Sequence, residues 1–405
     1  MHLDPAELAA LRADAQEQAP ELATLRHALH RVPELGLVLP QTQQLVLDAL
    51  APLGLEIHVS ETMSAITAVL RGGQPGPAVL LRGDMDALPV TEDSAEPFAS
   101  EHPGVMHACG HDLHTSGLVG AARLLAARRD RLAGSVVFMF QPGEEGPGGA
   151  QPMIEEGVLD AAGERVIAAY GLHVMSSILP AGLVAGRAGT MLAAADTVTV
   201  TVHGKGGHGS MPHLALDPVP VAAEIVLALQ AMVTRQFDVF DPVVVTVGRI
   251  AAGTTDNVIS SSAVIEATVR SFSEVVHHQV PDRLRRVCEG VAAAHGLTVT
   301  VDYRRGYPVT VNRPDEAERA RELTTALFGE QGWYDAPQPI AGAEDFSYVL
   351  EQVPGAYLGL GATLPGSDPA TAAYNHSPQA RFADEALAVG PAVLAALAWD
   401  RLTQG

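Results

Sequence analysis

Residues 78–90 read AVLLRGDMDALPV, an apolar run that gives way at Arg82, Asp84 and Asp86 to a polar turn. A short apolar run bounded by glycine and charge predicts a buried strand. The pattern returns twice, in SVVFMFQPGEEG (135–146) and VIAAYGLHV (166–174). Between the first two lies LHTSGLVGAARLLAARRD (113–130), whose apolar residues follow the helical period. Strands alternating with helices predict an α/β architecture. Each predicted strand ends in chemistry: Asp84 and Asp86, then Glu144 and Glu145, then His173. Open α/β sheets gather their sites beyond the carboxyl ends of strands, so the three clusters point to one shared site.

From about residue 186 the texture changes. DTVTVTVHG (196–204), PVVVTVGRI (242–250) and SAVIEATVRSF (262–272) alternate like half-exposed strands. LDPVPVAAEIVLALQAMVT (216–234) and VPDRLRRVCEGVAAAHG (280–296) have the helical period. The β-α-β-β-α-β order predicts a small α+β sandwich inserted at 186–304, with the first domain formed by 1–185 and 305–405. In the returning part, GAEDFSYVLEQ (342–352) is expected to start a helix and YNHSP (374–378) to end a loop. Cys288, on the apolar side of the second inserted helix, is expected to be core.

The bulk numbers exclude several classes. A chain of 405 residues exceeds one compact core, so two domains are expected. Against 25 Lys and Arg stand 47 Asp and Glu, for a net charge of −22. Such a chain repels nucleic acid and anionic membranes, and a carboxylate substrate would need local positive charge. No uninterrupted apolar run reaches the ~20 residues of a membrane span. The first residues read as an amphipathic helix rather than a signal peptide, and two cysteines suit a reducing compartment, so a cytoplasmic location is expected.

Cys109 sits in MHACGHDLHT (106–115), where three chemistries compete. It could be a small buried residue, a nucleophile with His111 as base, or a metal ligand. On an extended segment His107, Cys109 and His111 would share one face. The acidic pair at Glu144–Glu145 has a bland reading as a solvated turn. Adjacent carboxylates on an extended turn point apart, however, so one can bind a metal while the other moves a proton. His173 and His376 taken singly could be rim histidines. GKGGHGSMPH (204–213) lacks a phosphate-loop spacing; it is either a mobile glycine turn or a loop that aims His208 at a developing charge. No G-x-S-x-G elbow supports a serine hydrolase.

Together these stretches resemble the di-metal aminoacylase/carboxypeptidase family, in its amidohydrolase branch of hippurate hydrolases, auxin-conjugate hydrolases and N-acetyl-diaminopimelate deacetylases. The likeness runs from LRHALHRVPELGLVLPQT (25–42) through LRGDMDALPV, MHACGHDLHT, FQPGEEGPGGAQPMIEEG, GLHV, GKGGHGSMPH, GTTDNVI, GAEDFS and YNHSP, in the family's order. It implies a catalytic domain with a mixed, mostly parallel twisted sheet flanked by helices, and an inserted lid and dimerisation domain. It implies two divalent metal ions per subunit, zinc or manganese first and nickel or cobalt also suited, held by Cys109, His111, Glu145, His173 and His376. By the same resemblance Glu144 is the general base and Asp86 orients a ligand; His107 and His114, as neighbours of the ligands in the motif, are expected to support the loop. The resemblance also implies that His208 reaches a partner subunit's site and that Asn257 and Arg270 contact substrate. Where other branches carry His-x-Asp and a bridging carboxylate, this chain has Asp84 and the Cys109 thiol. The expected activity is hydrolysis of N-acyl amino acids, in a homodimer or tetramer built through the lid. A dipeptidase or carboxypeptidase, a cysteine hydrolase and a silent metal-binding protein are the rivals.

Overall fold

The computed structural model describes residues 3–403. The chain forms two compact units. One comprises the chain up to Met191, Val311–Pro337 and the chain from Tyr348 onward; the other comprises Leu192–Thr310 and Gln338–Ser347.

The first unit is built on an eight-stranded sheet, in the order Glu56–Val59, Ile66–Arg71, Ala133–Gln141, Gln74–Asp84, Val166–Pro180, Gly355–Thr363, Val184–Gly186, Trp333–Asp335. The four strands from Ala133–Gln141 to Gly355–Thr363 run parallel, and antiparallel pairs flank them. Ala78–Asp84 and all of Gly355–Thr363 are buried, as expected of parallel strands covered on both faces. Helices Pro5–Arg31, His111–Ala126 and Ala386–Leu402 pack on one another, and the last two lie on this sheet. Ala386–Leu402 reads ALAVGPAVLAALAWDRL and has almost no polar face, so it is buried nearly all round. The three helices close on Gly120, where a Cβ would lie 2.6 Å from Leu22 and 2.9 Å from Pro391. A larger residue there would overpack the junction at a cost of roughly 1–3 kcal/mol.

The strand carrying His173 is longer than the sequence pattern suggests. It runs to Pro180 because Gly355–Thr363 keeps pairing along it, with Gly359 opposite His173 and Thr363 opposite Pro180. On its other side the pairing with Gln74–Asp84 ends at Arg82 opposite Gly171. His173 therefore sits beside a strand end rather than at its own. The expected helix from GAEDFSYVLEQ is also short, spanning only Ser347–Leu350.

The second unit is an antiparallel sheet of four strands, ordered Val243–Ala252, Ser262–Ser271, Ala194–His203, Thr298–Arg304. Inward valines such as Val198, Val200 and Val202 alternate with more exposed threonines. They pack with Ile225 and Leu229 of helix Pro218–Gln236 and with Leu284 and Cys288 of helix Glu274–Ala294. Pro218–Gln236 is long and apolar enough to match a membrane span by composition. Here Val221, Ala222, Ile225, Leu229 and Met232 form the stripe that covers the sheet.

Candidate metal centre

Four segments of the first unit deliver the candidate donors: the turn before helix His111–Ala126, the loop of Glu144 and Glu145, the strand of His173 and the loop of His376. The first is the turn His107–Gly110, which leads into helix His111–Ala126. Gly110 has φ 82°, and a Cβ there would meet Val174 at 2.4 Å and Phe382 at 2.9 Å, so only glycine makes this turn. The turn also breaks the extended-segment reading of His107, Cys109 and His111. His107 is buried apart from the other two, its ring 6.1 Å from that of His30, with neither nitrogen hydrogen-bonded. Burial pushes its imidazole down to about 3, so it stays neutral.

Cys109 stands at the centre. Its Sγ lies 3.2 Å from His376 Nε2 and 3.4 Å from His173 Nε2. Cys109, His111 and His173 turn ligand atoms to within 4.8 Å of one another, and so do Cys109, Glu145 and His376. The two triplets share only the thiol. That is the arrangement a bridging ligand between two ions would require. Asp84, His111 and His114 form a third such group, but His114 has no nitrogen to spare. Its Nε2 accepts the Val174 N–H at 2.8 Å, so its Nδ1–H donates to Asp84. His114 thereby supports the loop by pinning Asp84 to the strand that carries His173.

Supporting contacts set the direction of each donor. His173 donates Nδ1–H to the Val174 carbonyl at 2.9 Å, which leaves the Nε2 lone pair facing Cys109. Burial, with His114 alongside, pushes His173 down to about 3 and keeps it in the neutral, ligating form. Asp86 accepts the backbone N–H of Glu144 at 2.9 Å and of Glu145 at 3.0 Å, so one carboxylate fixes both members of the acidic pair. Asp86 Oδ1 also lies 3.5 Å from His111 Nδ1. Asp84 is held well below the usual carboxylate range despite its burial, by the Arg82 guanidinium and then His111 and His114.

The electrostatics ask for positive charge at two places. Both buried ring nitrogens of His111 lack a hydrogen bond, while its Nε2 lies 3.7 Å from Asp84 and 3.8 Å from Glu145. Although burial opposes it, Asp84 and then Asp86 raise the His111 imidazole well above its ordinary value. His376 is pushed up to about 10 by its bonds to Cys109 and Glu145. Burial, and after it the Glu145 carboxylate, push the Cys109 thiol up against the pull of His111 and His376. A nucleophile needs the opposite shift, so the metal-free pocket does not favour a catalytic thiolate. Imidazoles, a carboxylate and a thiol around unsatisfied nitrogens fit divalent ions of the zinc type.

One contributor was missed in the sequence. Asn375 donates Nδ2 to the Val174 carbonyl at 2.9 Å and the Cys109 carbonyl at 3.2 Å, and its Oδ1 accepts Ser176 N–H at 2.9 Å. It thus ties three segments behind the thiol. Next to it His376 has φ 71°, a left-handed conformation that costs about 1–2 kcal/mol. Its N–H donation to Ala108 at 2.8 Å helps hold that turn. The only signal available was an asparagine preceding the histidine in YNHSP.

The remaining candidates lie in the second unit. His208 pairs with Val258 in a two-stranded ribbon, and Gly209 N–H donates to the Asn257 carbonyl at 2.8 Å, so His208 and Asn257 are neighbours. Arg270 lies elsewhere, on the strand Ser262–Ser271 opposite Val244 and Ala195, half-buried and without an ion-pair partner among the described residues.

With this geometry in hand, the comparisons with known proteins decide the family. Residues 80–400 match Peptidase family M20/M25/M40. The chain belongs to that family. Its relatives include thermostable carboxypeptidase 2 of Saccharolobus solfataricus, 38% identical over 87% of this chain and 88% of that protein. N-acetyl-L-cysteine deacetylase of Bacillus subtilis is 38% identical over 84% and 80%. Among solved structures, a dinuclear metal-binding peptidase of the same family from Bacillus subtilis superposes with a TM-score of 0.82, at 32% identity over 96% of this chain and 99% of that one. The chain is a metal-dependent amidohydrolase of this family, in its amidohydrolase branch, and a dinuclear metal site is typical of the family.

Proposed function

We propose that the protein hydrolyses the amide bond of N-acyl amino acids, releasing a carboxylic acid and a free amino acid. The observation that carries this reading is the double triplet around Cys109, with Glu144 beside it and both glutamate amides held by Asp86. Cys109, His111, Glu145, His173 and His376 would hold the ions, with zinc or manganese first and nickel or cobalt also suited. Bound there, divalent ions supply Lewis-acid polarisation of the scissile carbonyl and acidify water. Glu144 takes the proton of the attacking water and returns it to the leaving amine. Asp86 keeps Glu144 and Glu145 in register for these separate tasks.

His208 would donate to the developing oxyanion from a partner subunit. Its Nδ1 accepts Ser210 N–H at 3.1 Å, so its proton sits on Nε2, the outward donor such a role needs. The strand Val243–Ala252 is the edge of its sheet, with Val244 and Ile250 exposed, and suits edge-to-edge pairing into a homodimer or tetramer. Asn257 and Arg270 would contact substrate. An arginine without a carboxylate partner supplies the local positive charge an anionic substrate needs against the −22 of the chain.

The second reading, a metallo-carboxypeptidase, is favoured by the Saccharolobus relative. N-acetyl, benzoyl and indole-acetyl amino acids should be compared with dipeptides, with zinc, manganese or nickel supplied. Higher kcat/KM on the N-acyl amino acids is expected; a preference for dipeptides would establish the carboxypeptidase instead. Turnover that survives exhaustive chelation would replace both with a cysteine hydrolase.

A further inference from the structure

The second unit contains a cluster that the amide chemistry does not use. Helix Glu274–Ala294 opens with Glu274, and His277 and His278 follow at i+3 and i+4, on the same helical face. The three offer ligand atoms within 4.8 Å of one another. His277 is 4% exposed, and its Nε2 lies 3.1 Å from Asp196 Oδ1 and 3.0 Å from Oδ2. Asp196 also accepts the Tyr303 hydroxyl at 2.6 Å and the Gly306 N–H at 3.0 Å. Surrounded by donors, Asp196 acts as an acceptor, so the proton of the His277 ring sits on Nε2.

The other nitrogen faces Glu274; without an ion, Asp196 and Glu274 push His277 up to about 9, so a cation at Nδ1 would displace a proton there. His277 Nδ1 is buried, has no hydrogen-bond partner, and lies 3.8 Å from Glu274 Oε2. Glu274 uses its other oxygen, Oε1, to accept the Val309 N–H at 3.2 Å. His278, 60% exposed at its side chain, has Nδ1 3.6 Å from Glu274 Oε2. It donates that nitrogen to the Glu274 carbonyl at 2.7 Å, a bond its ring would release on turning toward an ion. A histidine whose far nitrogen is held by a carboxylate, beside a glutamate three residues earlier on a helix, is the pairing that metal sites use.

We propose that Glu274, His277 and His278 form a further divalent-cation site, separate from the Cys109 cluster. Two imidazoles and one carboxylate suit zinc or nickel better than magnesium or calcium, which prefer oxygen ligands. The half-buried Glu274 and the exposed His278 give the ion its way in, and His277 anchors it from within. An ion there ties the first helical turn, through Glu274 and Asp196, to the segment from Tyr303 to Val309 that leads out of this unit. Its work is structural, so amide turnover does not depend on it.

The test is zinc uptake by the full chain with its catalytic ions already loaded. The wild-type protein, Glu274→Gln and the double variant Glu274→Gln/His278→Ala are dialysed against graded free zinc, and metal per chain is measured beside turnover. The wild type is expected to take up one equivalent beyond the catalytic complement, and the double variant to lack that equivalent while retaining wild-type turnover. Asp196→Asn, which keeps all three ligands, should weaken the extra ion by about 10–100-fold. Equal uptake by wild type and double variant at every zinc concentration would overturn the proposal. So would a wild type that never exceeds its catalytic complement.

Discussion

The Cys109 cluster and the His208 ribbon both carry residues that the sequence singled out, and the chain treats them in opposite ways. Around Cys109 the donors run from buried Cys109 and His111 through half-buried His173 and Glu145 to exposed His376, and the last three are each backed by a second contact: His173 by the Val174 carbonyl, Glu145 by Asp86, His376 by Ala108. His208 is exposed, and among the described residues its side chain bonds only to Ser210, two residues along. One region is a finished cage for cations; the other is an oriented donor on a surface. The contrast suits the proposed division of labour, in which one chain would hold the ions and His208 would be offered outward as the oxyanion donor.

The largest effect expected from this contrast is on the cage. Cys109→Ala removes the one group common to both triplets, so metal content should fall and turnover should drop to background, as read by metal analysis and an amidase assay. Full metal content in this variant would remove the thiol from its bridging place. On the ribbon, His208→Ala should leave metal content and melting temperature unchanged while lowering kcat by about 10²–10³-fold. Loss of metal in His208→Ala would mean that the two regions are not separate in function.

The smallest effect concerns the layer beneath the cage. Asp112, next to His111, accepts from Arg26 at 2.8 Å and from His30 Nδ1 at 2.9 Å, and His30 Nε2 lies 3.2 Å from Glu92. Although burial works against it, Asp112 and then Glu92 push His30 up to about 9 from its ordinary 6.5. A group raised in the folded state stabilises fully below about pH 6.5, and the contribution is lost as pH rises through about 9. His30→Gln should therefore reduce the fall in unfolding free energy between pH 6 and pH 10 by on the order of 3 kcal/mol. Urea titrations at the two pH values check this, and parallel losses in wild type and variant would refute it.

What the sequence made legible follows the range of the interactions. The apolar run at 78–81, the alternation at 196–204 and the helical period at 113–130 are local, and the strands and helices appear where those patterns lie. The donors were legible because cysteine, histidine and paired glutamates at strand ends are chemically conspicuous. Asn375 was not, because its role exists only through Cys109, Val174 and Ser176, about 200 residues or more away in the chain. The extension of the His173 strand to Pro180 likewise depends on a partner at 355–363. The left-handed turn at Gly110 shows the limit of spacing arguments, because one residue of positive φ between Cys109 and His111 breaks the extended run that would have set His107, Cys109 and His111 on one face.

The central claim is that Glu145 holds metal while its neighbour Glu144 moves the proton. It is tested most directly by Glu144→Gln, assayed together for metal content and turnover. The account predicts wild-type metal content with turnover lowered by about 10²–10⁴-fold or more. Turnover near wild type would contradict it, and so would a loss of metal equal to that of Glu145→Gln.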